Sequence, residues 1–517
     1  MCNFFCLLIS VLTLAVGKIL LNNNIDKIET EETYAESDFY FQVVTKSYKA
    51  GSSKTTKSEG SESGQTSQSD DVPGCFDVGW YEDENDNKKN FDATLGYSGG
   101  SHDGGNSSVT ATYNSAMPAI TTPSRTGYSF QGYYTGTNGS GTKYYDNNGK
   151  SVRNWDKTSN TTLYAYWTAN GYTLTANANG GSGSMSNQSM TYDKASNLTA
   201  NTYTRQGYYF VGWSKTKLGV RSTIPTSNIY KDEESVKNLV ASGSITLYAV
   251  WLDTWANHVT TPTGSGSSAS PYIIDSAEDL AWLIKNFNNG NKSNYFKQTT
   301  DINLSKYYWS PIGSSSSSAF MGVYDGQNNQ ITNLKIPNVK NASGKYLYSY
   351  MGLFGYTKNG TFKNLIIVSG EVYGNVGVGA LVGQLTSGVV ENAILQAGVK
   401  VEGYQNVGGI VGYYLGGTIK NCENYSSVNT TNWTCGGILG WAQSGNNTKI
   451  EDCMNFGKIT SNGENVGGIN GGGGNFIVES CYNYGDLSAV GAHAGGIAGG
   501  VESSGVEIKN SYSFVTF

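Results

Sequence analysis

The sequence predicts an all-β chain: two small tandem β repeats, then a long parallel β-solenoid with one helix at its start. Three observations predict it. A block of aromatic and β-branched residues between Gly/Asn/Ser turns occurs twice, about 80 residues apart. A Gly-Gly-Ile-x-Gly segment then recurs at steps of 28 to 31 residues, the mark of stacked coils. No proline follows Pro337, as expected where every strand lies inside a continuous hydrogen-bonded ladder.

Composition narrows the function. The 517 residues include 67 Gly, 37 Tyr and only 8 Pro; charged residues are 14% and the net charge is −6. No Arg follows Arg221, so a nucleic-acid binder is excluded. Three His argue against His-based metal or triad chemistry. No second apolar run of about 18 residues exists, which excludes a polytopic membrane protein. Gly without a strict triplet excludes collagen. A β-rich, acidic composition of this kind is common in exported proteins.

The first element is Phe4–Val16 (FFCLLISVLTLAV), an apolar run ending in Ala15-Val16-Gly17. It is expected to be a signal peptide, residues 1–17, or an uncleaved anchor to about residue 21. Residues 18–89 are expected to be a polar, mostly disordered linker; 51–72 is a Ser/Gly/Thr/Gln tract with too little apolar area to offset chain entropy.

The two β repeats are expected at 90–169 and 170–253. Arg125-Thr126-Gly127-Tyr128-Ser129-Phe130-Gln131-Gly132-Tyr133 returns as Arg205-Gln206-Gly207-Tyr208-Tyr209-Phe210-Val211-Gly212-Trp213. Leu163-Tyr164-Ala165-Tyr166-Trp167 returns as Leu247-Tyr248-Ala249-Val250-Trp251, and Ala111-Thr112-Tyr113 matches Met190-Thr191-Tyr192. Lys231–Val240 is the only helix-like stretch in this region. Both copies resemble the Listeria–Bacteroides repeat, the B-repeat of internalins and many bacterial surface proteins. The first departs by having Tyr133 where Trp is usual. The resemblance implies a small β-grasp-like domain without catalytic activity, used in tandem as a stalk. The repeat aromatics are read as core rather than as sugar-stacking platforms.

After a linker at 254–270, the solenoid is expected over 271–517. Ser276-Ala277-Glu278-Asp279 opens a capping helix at 277–289, with Leu280, Leu283, Ile284 and Phe287 as its apolar face. The glycine segments start at Met351, Gly379, Gly408, Gly436, Gly467 and Gly495. A second register runs through Asn333, Asn364, Asn392, Asn421, Asp452, Ser480 and Asn510. The residues after it (Leu365, Ala393, Cys422, Cys453, Cys481, Ser511) and those before the glycine pair (Val378, Val407, Cys435, Val466, Ala494) form interior ladders. Asn424-Tyr425, Asn455-Phe456 and Asn483-Tyr484 align, followed by Val428, Ile459 and Leu487; stacked Asn can bond along the solenoid axis. Ser513–Phe517 stops in mid-coil, so either the chain is a fragment or another chain or domain covers that end.

The order Pro271-Tyr272-Ile273-Ile274, Asp279–Leu283, Asp301–Leu304, Trp309–Gly313, Phe320–Gly326 and then the glycine coils resembles the GLUG-motif surface proteins. That resemblance implies a right-handed parallel β-helix and a cell-surface, adhesin-like protein.

Sugar-cleaving β-helices need paired carboxylates. The coil-aligned acids are Glu391, Glu423, Glu451, Asp452 and Glu479, with Lys420 and Lys449 nearby and no His or Arg among them. No catalytic, cofactor-binding or metal residue is therefore assigned, and no binding residue is singled out. Asp83–Asn87 begins like a calcium loop but has Lys88 where Gly is required and Thr94 where Glu belongs. Cys422, Cys435, Cys453 and Cys481 are read as buried thiols, with Cys75 elsewhere and no disulfide framework. Sequons such as Asn106, Asn138, Asn160 and Asn303 occur at about the chance rate and say little about glycosylation.

The expectation is a non-catalytic, exported adhesin-type protein of the extracellular surface. The repeats act as spacer and the solenoid as binding surface, with an extracellular glycan or a host or matrix protein as partner. No cofactor and no nucleic acid is involved, and a membrane only through an uncleaved N-terminal segment. The alternatives are a polysaccharide lyase or glycosidase on the β-helix and a purely structural stalk.

Overall fold

The computed structural model describes residues 80–82, 89–96, 104–287, 294–444, 448–491, 493–502 and 505–514. The expected signal peptide, most of the 18–89 linker, Cys75, the calcium-like Asp83–Asn87, the helix end at 288–289 and the final 515–517 lie outside them. The chain divides into two units, Met1–Thr168 and Ala169–Phe517.

Each repeat is a mixed sheet with its second, first, fourth and third main strands side by side. In the first repeat these are Lys89–Gly96, Ser108–Thr112, Tyr128–Tyr134 and Thr161–Ala169. In the second they are Gly171–Asn177, Gln188–Thr191, Tyr208–Ser214 and Gly243–Asp253. The central pair is parallel in both. The repeated motif has a direct reading. Gly127 and Gly207 both adopt φ 79°, a left-handed turn that only Gly enters without cost. The turn folds Arg125 over the Tyr128 ring at 3.7 Å and Arg205 over Tyr208 at 4.1 Å. Phe130 then meets Trp167 edge-on at 5.4 Å, and Phe210 meets Trp251 at 5.9 Å. The closing Leu-Tyr-Ala-x-Trp strand is thus the other half of the same core.

Lys231–Val240 is not a helix. Glu233 and Asn238 have φ of 59° and 55°, and between them Ser235–Val236 pairs antiparallel with Ser196–Asn197. Within this segment the Asp232 carboxylate turns inward to accept from the Trp213 indole and the Asn201 backbone N–H.

Residues 254–270, expected as a linker, begin with a buried residue. Trp255 donates its indole N–H to Leu304 O at 3.1 Å and belongs to the solenoid core. The second repeat packs directly on the solenoid: Tyr209 Oη donates to Trp309 O at 2.9 Å, and the Tyr348 hydroxyl donates to Phe210 O and accepts from Phe210 N.

The C-terminal part is a parallel β-solenoid of about seven turns. Helix α1, Ala277–Asn286, stands at its N-terminal end, with Ser276 Oγ accepting from Asp279 N as N-cap. Leu280, Leu283, Ile284 and Phe287 are buried. The rungs pair as the sequence steps require: Phe354 with Val382, Val382 with Val411, Val411 with Leu439, Leu439 with Asn470 and Asn470 with Ala498. Every residue of the Asn333-to-Asn510 register has φ between 47° and 58°. It is the coil's left-handed corner, which favours Gly, Asn and Asp; Ser480 is the exception in this register. The ladders beside it are buried as expected, except Ala494 and Ser511 in the last described coil.

Asn424, Asn455 and Asn483 form a fully buried ladder. Asn424 Nδ2 donates to Asn455 Oδ1 at 2.8 Å, Asn455 Nδ2 to Asn483 Oδ1 at 2.8 Å, and Asn483 Nδ2 to Ser513 Oγ at 3.3 Å. This ladder requires the glycine pair. A Cβ on Gly437 would lie 2.3 Å from Gly468 O and 2.4 Å from Asn455 Cγ, so any side chain there displaces the amide stack.

Candidate functional site

Because Asn424, Asn455 and Asn483 point inward, the residues on either side of each point outward. On one side stand Glu423, Met454, Tyr482 and Tyr512, paired rung to rung. On the other stand Tyr425, Phe456, Tyr484 and Phe514. Their rings stack nearly parallel, with centroids 4.6, 5.0 and 4.9 Å apart and interplanar angles of 4–6°. Tyr482 and Tyr512 stack at 6.0 Å. Phe456, Tyr484 and Phe514 are 36, 45 and 63% exposed. The rung spacing of about 4.8 Å places rings in face contact, so the column offers partners a row of ring edges and one apolar strip.

A charged ladder runs beside it. Glu391, Lys420, Glu451, Glu479 and Lys509 occupy one register. Lys420 pairs with Glu391 at 3.0 Å. Lys449, two residues before Glu451 in its strand, bridges Glu451 and Glu479. Hydrogen bonds and charge from Glu391 raise the Lys420 pKa, and those from Glu451 and Glu479 raise that of Lys449. Glu423 accepts from Tyr425 Oη at 3.0 Å. Of the acids that a sugar-cleaving reading would use, Glu391, Glu451 and Glu479 are thus tied to lysines and Glu423 to a tyrosine, while Asp452 occupies the left-handed corner.

Glu402 is a carboxylate with three side-chain partners. It accepts from Tyr346 Oη at 2.5 Å and pairs with Lys400 at 2.9 Å and Lys340 at 3.7 Å. Burial pushes its carboxyl up, but these hydrogen bonds and charges outweigh that and hold it below the usual range. Such a group stays ionised and cannot serve as the protonated acid of a glycosidase.

Cys422, Cys435, Cys453 and Cys481 are free and fully buried. Cys453 Sγ donates to Glu451 O at 3.1 Å. Burial pushes the Cys435 and Cys453 thiols up, which removes their nucleophilicity. Among the described residues no cluster of three metal-ligating side chains occurs, and no helix is long and apolar enough to cross a membrane.

Of the nine repeat aromatics weighed as sugar platforms, Phe210, Trp213 and Trp251 are buried and the rest half-buried. The outward column escaped the sequence reading. Its alignment was visible there, but its direction depends on the Asn beside it pointing inward, which is unusual for Asn.

Residues 98–166 and 172–250 match the family model of the Listeria-Bacteroides repeat domain. The chain is 29% identical over 205 residues to halomucin of Haloquadratum walsbyi, a match spanning 36% of this chain and 2% of halomucin. It is 30% identical over 176 residues to internalin H of Listeria monocytogenes, 32% of this chain and 28% of that protein. The chain therefore spans less than a third of either relative's length, and neither is named as an enzyme. A crystal structure from Bacteroides ovatus, described as a candidate immunoglobulin A1 protease, is 21% identical with a TM-score of 0.42, over 49% of this chain and 79% of that one. At that TM-score the likeness bears on neither fold nor activity.

Proposed function

We propose that this chain belongs to an exported surface protein of adhesin type, non-catalytic, in which the solenoid is the binding face. The observation that carries it is the outward column Tyr425–Phe456–Tyr484–Phe514 beside Tyr482–Tyr512. A contiguous exposed apolar strip on an otherwise polar face marks an interaction surface. Matches to the repeat family and to halomucin and internalin H support a surface location, as does the apolar run Phe4–Val16 with its small-residue end. The order of elements after Pro271 supports a GLUG-type solenoid. The first repeat serves as spacer; the second, packed on the solenoid through Tyr209 and Tyr348, is part of the head.

The test is a binding screen of the labelled chain against a glycan array, matrix proteins and host cells, with a Phe456→Ser/Tyr484→Ser variant alongside. Saturable binding that the variant weakens at least tenfold is the expected result. Binding that is absent, or indifferent to the variant, overturns the reading and leaves the structural stalk.

A further inference from the structure

The second repeat carries a cavity of about 280 Å³ that the solenoid reading does not use. Its walls come from the Asn201–Phe210 segment, Asp232, Trp251 and the Leu347–Tyr348 loop, all within one unit. A neighbouring hollow lined by Leu174, Met185 and Trp213 has only about 10 Å³, room for one water at most.

The larger cavity brings three kinds of chemistry together. Asp232 is 6% exposed. Its carboxylate accepts from Asn201 N at 3.0 and 3.2 Å and from Trp213 Nε1 at 3.3 Å. The Glu233 backbone N–H also bonds to it, so of the carboxylate's about four acceptor positions at most one remains. Burial pushes this carboxyl up, and the indole and amide hydrogen bonds offset that only in part; a further donor would stabilise its charged form. Arg205, in the same lining, carries the opposite charge. Its guanidinium lies over the Tyr208 ring at 4.1 Å and makes one long hydrogen bond, 3.4 Å to Asn179 O, out of five N–H donors. The remaining wall is aromatic, from half-buried Tyr208 and Tyr348, with Trp251 contributing only the 2% of its surface that is exposed.

These walls select among ligands. A simple cation is disfavoured by Arg205 and a simple anion by Asp232. A purely apolar ligand would strip both of water with no hydrogen bond in return. A sugar ring satisfies all three walls, because adjacent hydroxyls both donate and accept while the C–H face covers an aromatic ring. The volume lies just below the range of about 300–1,000 Å³ for drug-sized ligands, which suits one ring rather than a chain of them.

We propose that this cavity binds a single sugar residue of an extracellular glycan, its hydroxyls on Asp232 and Arg205 and its C–H face on the aromatic wall. The proposal rests on the surface-protein reading only for the source of the glycan. Titration of the full chain with the methyl glycosides of glucose, galactose, mannose and N-acetylglucosamine, followed by NMR, tests it. Saturable binding of at least one is expected. Asp232→Asn is expected to weaken it about tenfold or more. Thr204→Trp, which fills the mouth from an exposed position without touching the core, is expected to abolish it with an unchanged thermal midpoint. The Phe456→Ser/Tyr484→Ser variant should bind the glycoside like the parent, which separates this site from the solenoid column. Failure of all four glycosides to saturate at millimolar concentration, or unaltered binding by Thr204→Trp, overturns the proposal.

Discussion

Asn455 Nδ2 donates to Asn483 Oδ1 at 2.8 Å with both side chains fully buried. In Asn455→Ala the Asn424 amide keeps only its long bond to Ser426 O at 3.4 Å, and the Asn483 oxygen keeps only the Gly485 N–H at 3.2 Å. Weakening buried polar groups in this way should cost about 1–3 kcal/mol. A fall in the urea midpoint of the solenoid transition would show it. A change below about 0.5 kcal/mol would mean the ladder is spectator rather than support.

Gly437→Ala tests the same ladder from the other side. The new Cβ would meet Gly468 O at 2.3 Å and the Asn455 amide at 2.4 Å. Overpacking of this kind costs about 1–3 kcal/mol and sometimes more. Soluble expression and the denaturation midpoint should both drop, whereas Gly344→Ala, with nothing within 4 Å, should show only the mild strain of its positive φ.

The Tyr348 hydroxyl is the hydrogen-bond bridge between Phe210 of the second repeat and the solenoid. Tyr348→Phe removes two bonds and leaves the ring. A loss of about 1–3 kcal/mol is expected, read as separation of the repeat and solenoid transitions in calorimetry. A single unchanged transition would show that the remaining contacts, the Tyr209–Trp309 hydrogen bond among them, couple them without it.

Glu402 contributes stability with a definite sign. Its folded pKa lies below the ordinary 4.5, so the contribution is present above pH 4.5 and lost as pH falls through the folded value. Glu402→Gln should cost about 1 kcal/mol at pH 7, allowing for solvent screening. The difference should shrink as pH falls below 4.5 toward the folded value, as measured by urea denaturation at pH 7 and at a series of acid pH values.

The buried thiols predict the alkaline side. Burial raises Cys435 and Cys453 above the ordinary 9.0. Their contribution is therefore full below pH 9 and lost as pH rises toward the folded values. At pH 8 a thiol reagent should leave Cys422, Cys435, Cys453 and Cys481 unmodified in the native chain and label all four after unfolding, as peptide mass mapping would report.

Much of this architecture was legible in the chain. The steps from Met351 to Gly495 reappear as rung pairings because a coil of constant circumference needs a constant residue count. The Asn333-to-Asn510 register was readable because a left-handed corner admits few residue types. Lys231–Val240 was misread because its charges and apolar residues are compatible with a helix face. Its partners are distant in sequence: Ser235–Val236 pairs with Ser196–Asn197 and Asp232 accepts from Trp213, and no local pattern encodes that.

The sequence by itself determined the two repeats, the solenoid and its period, and the Ser276 cap, since each depends on local spacing and turn chemistry. Only the tertiary structure decided three things: that Tyr425, Phe456, Tyr484 and Phe514 face outward, that Tyr209 and Tyr348 weld the second repeat to the solenoid, and that Arg205 and Asp232 share a cavity with Trp251. Each joins residues distant in sequence, or a polar residue turned inward against its usual preference, and such choices are set by which surfaces meet once the coils have closed.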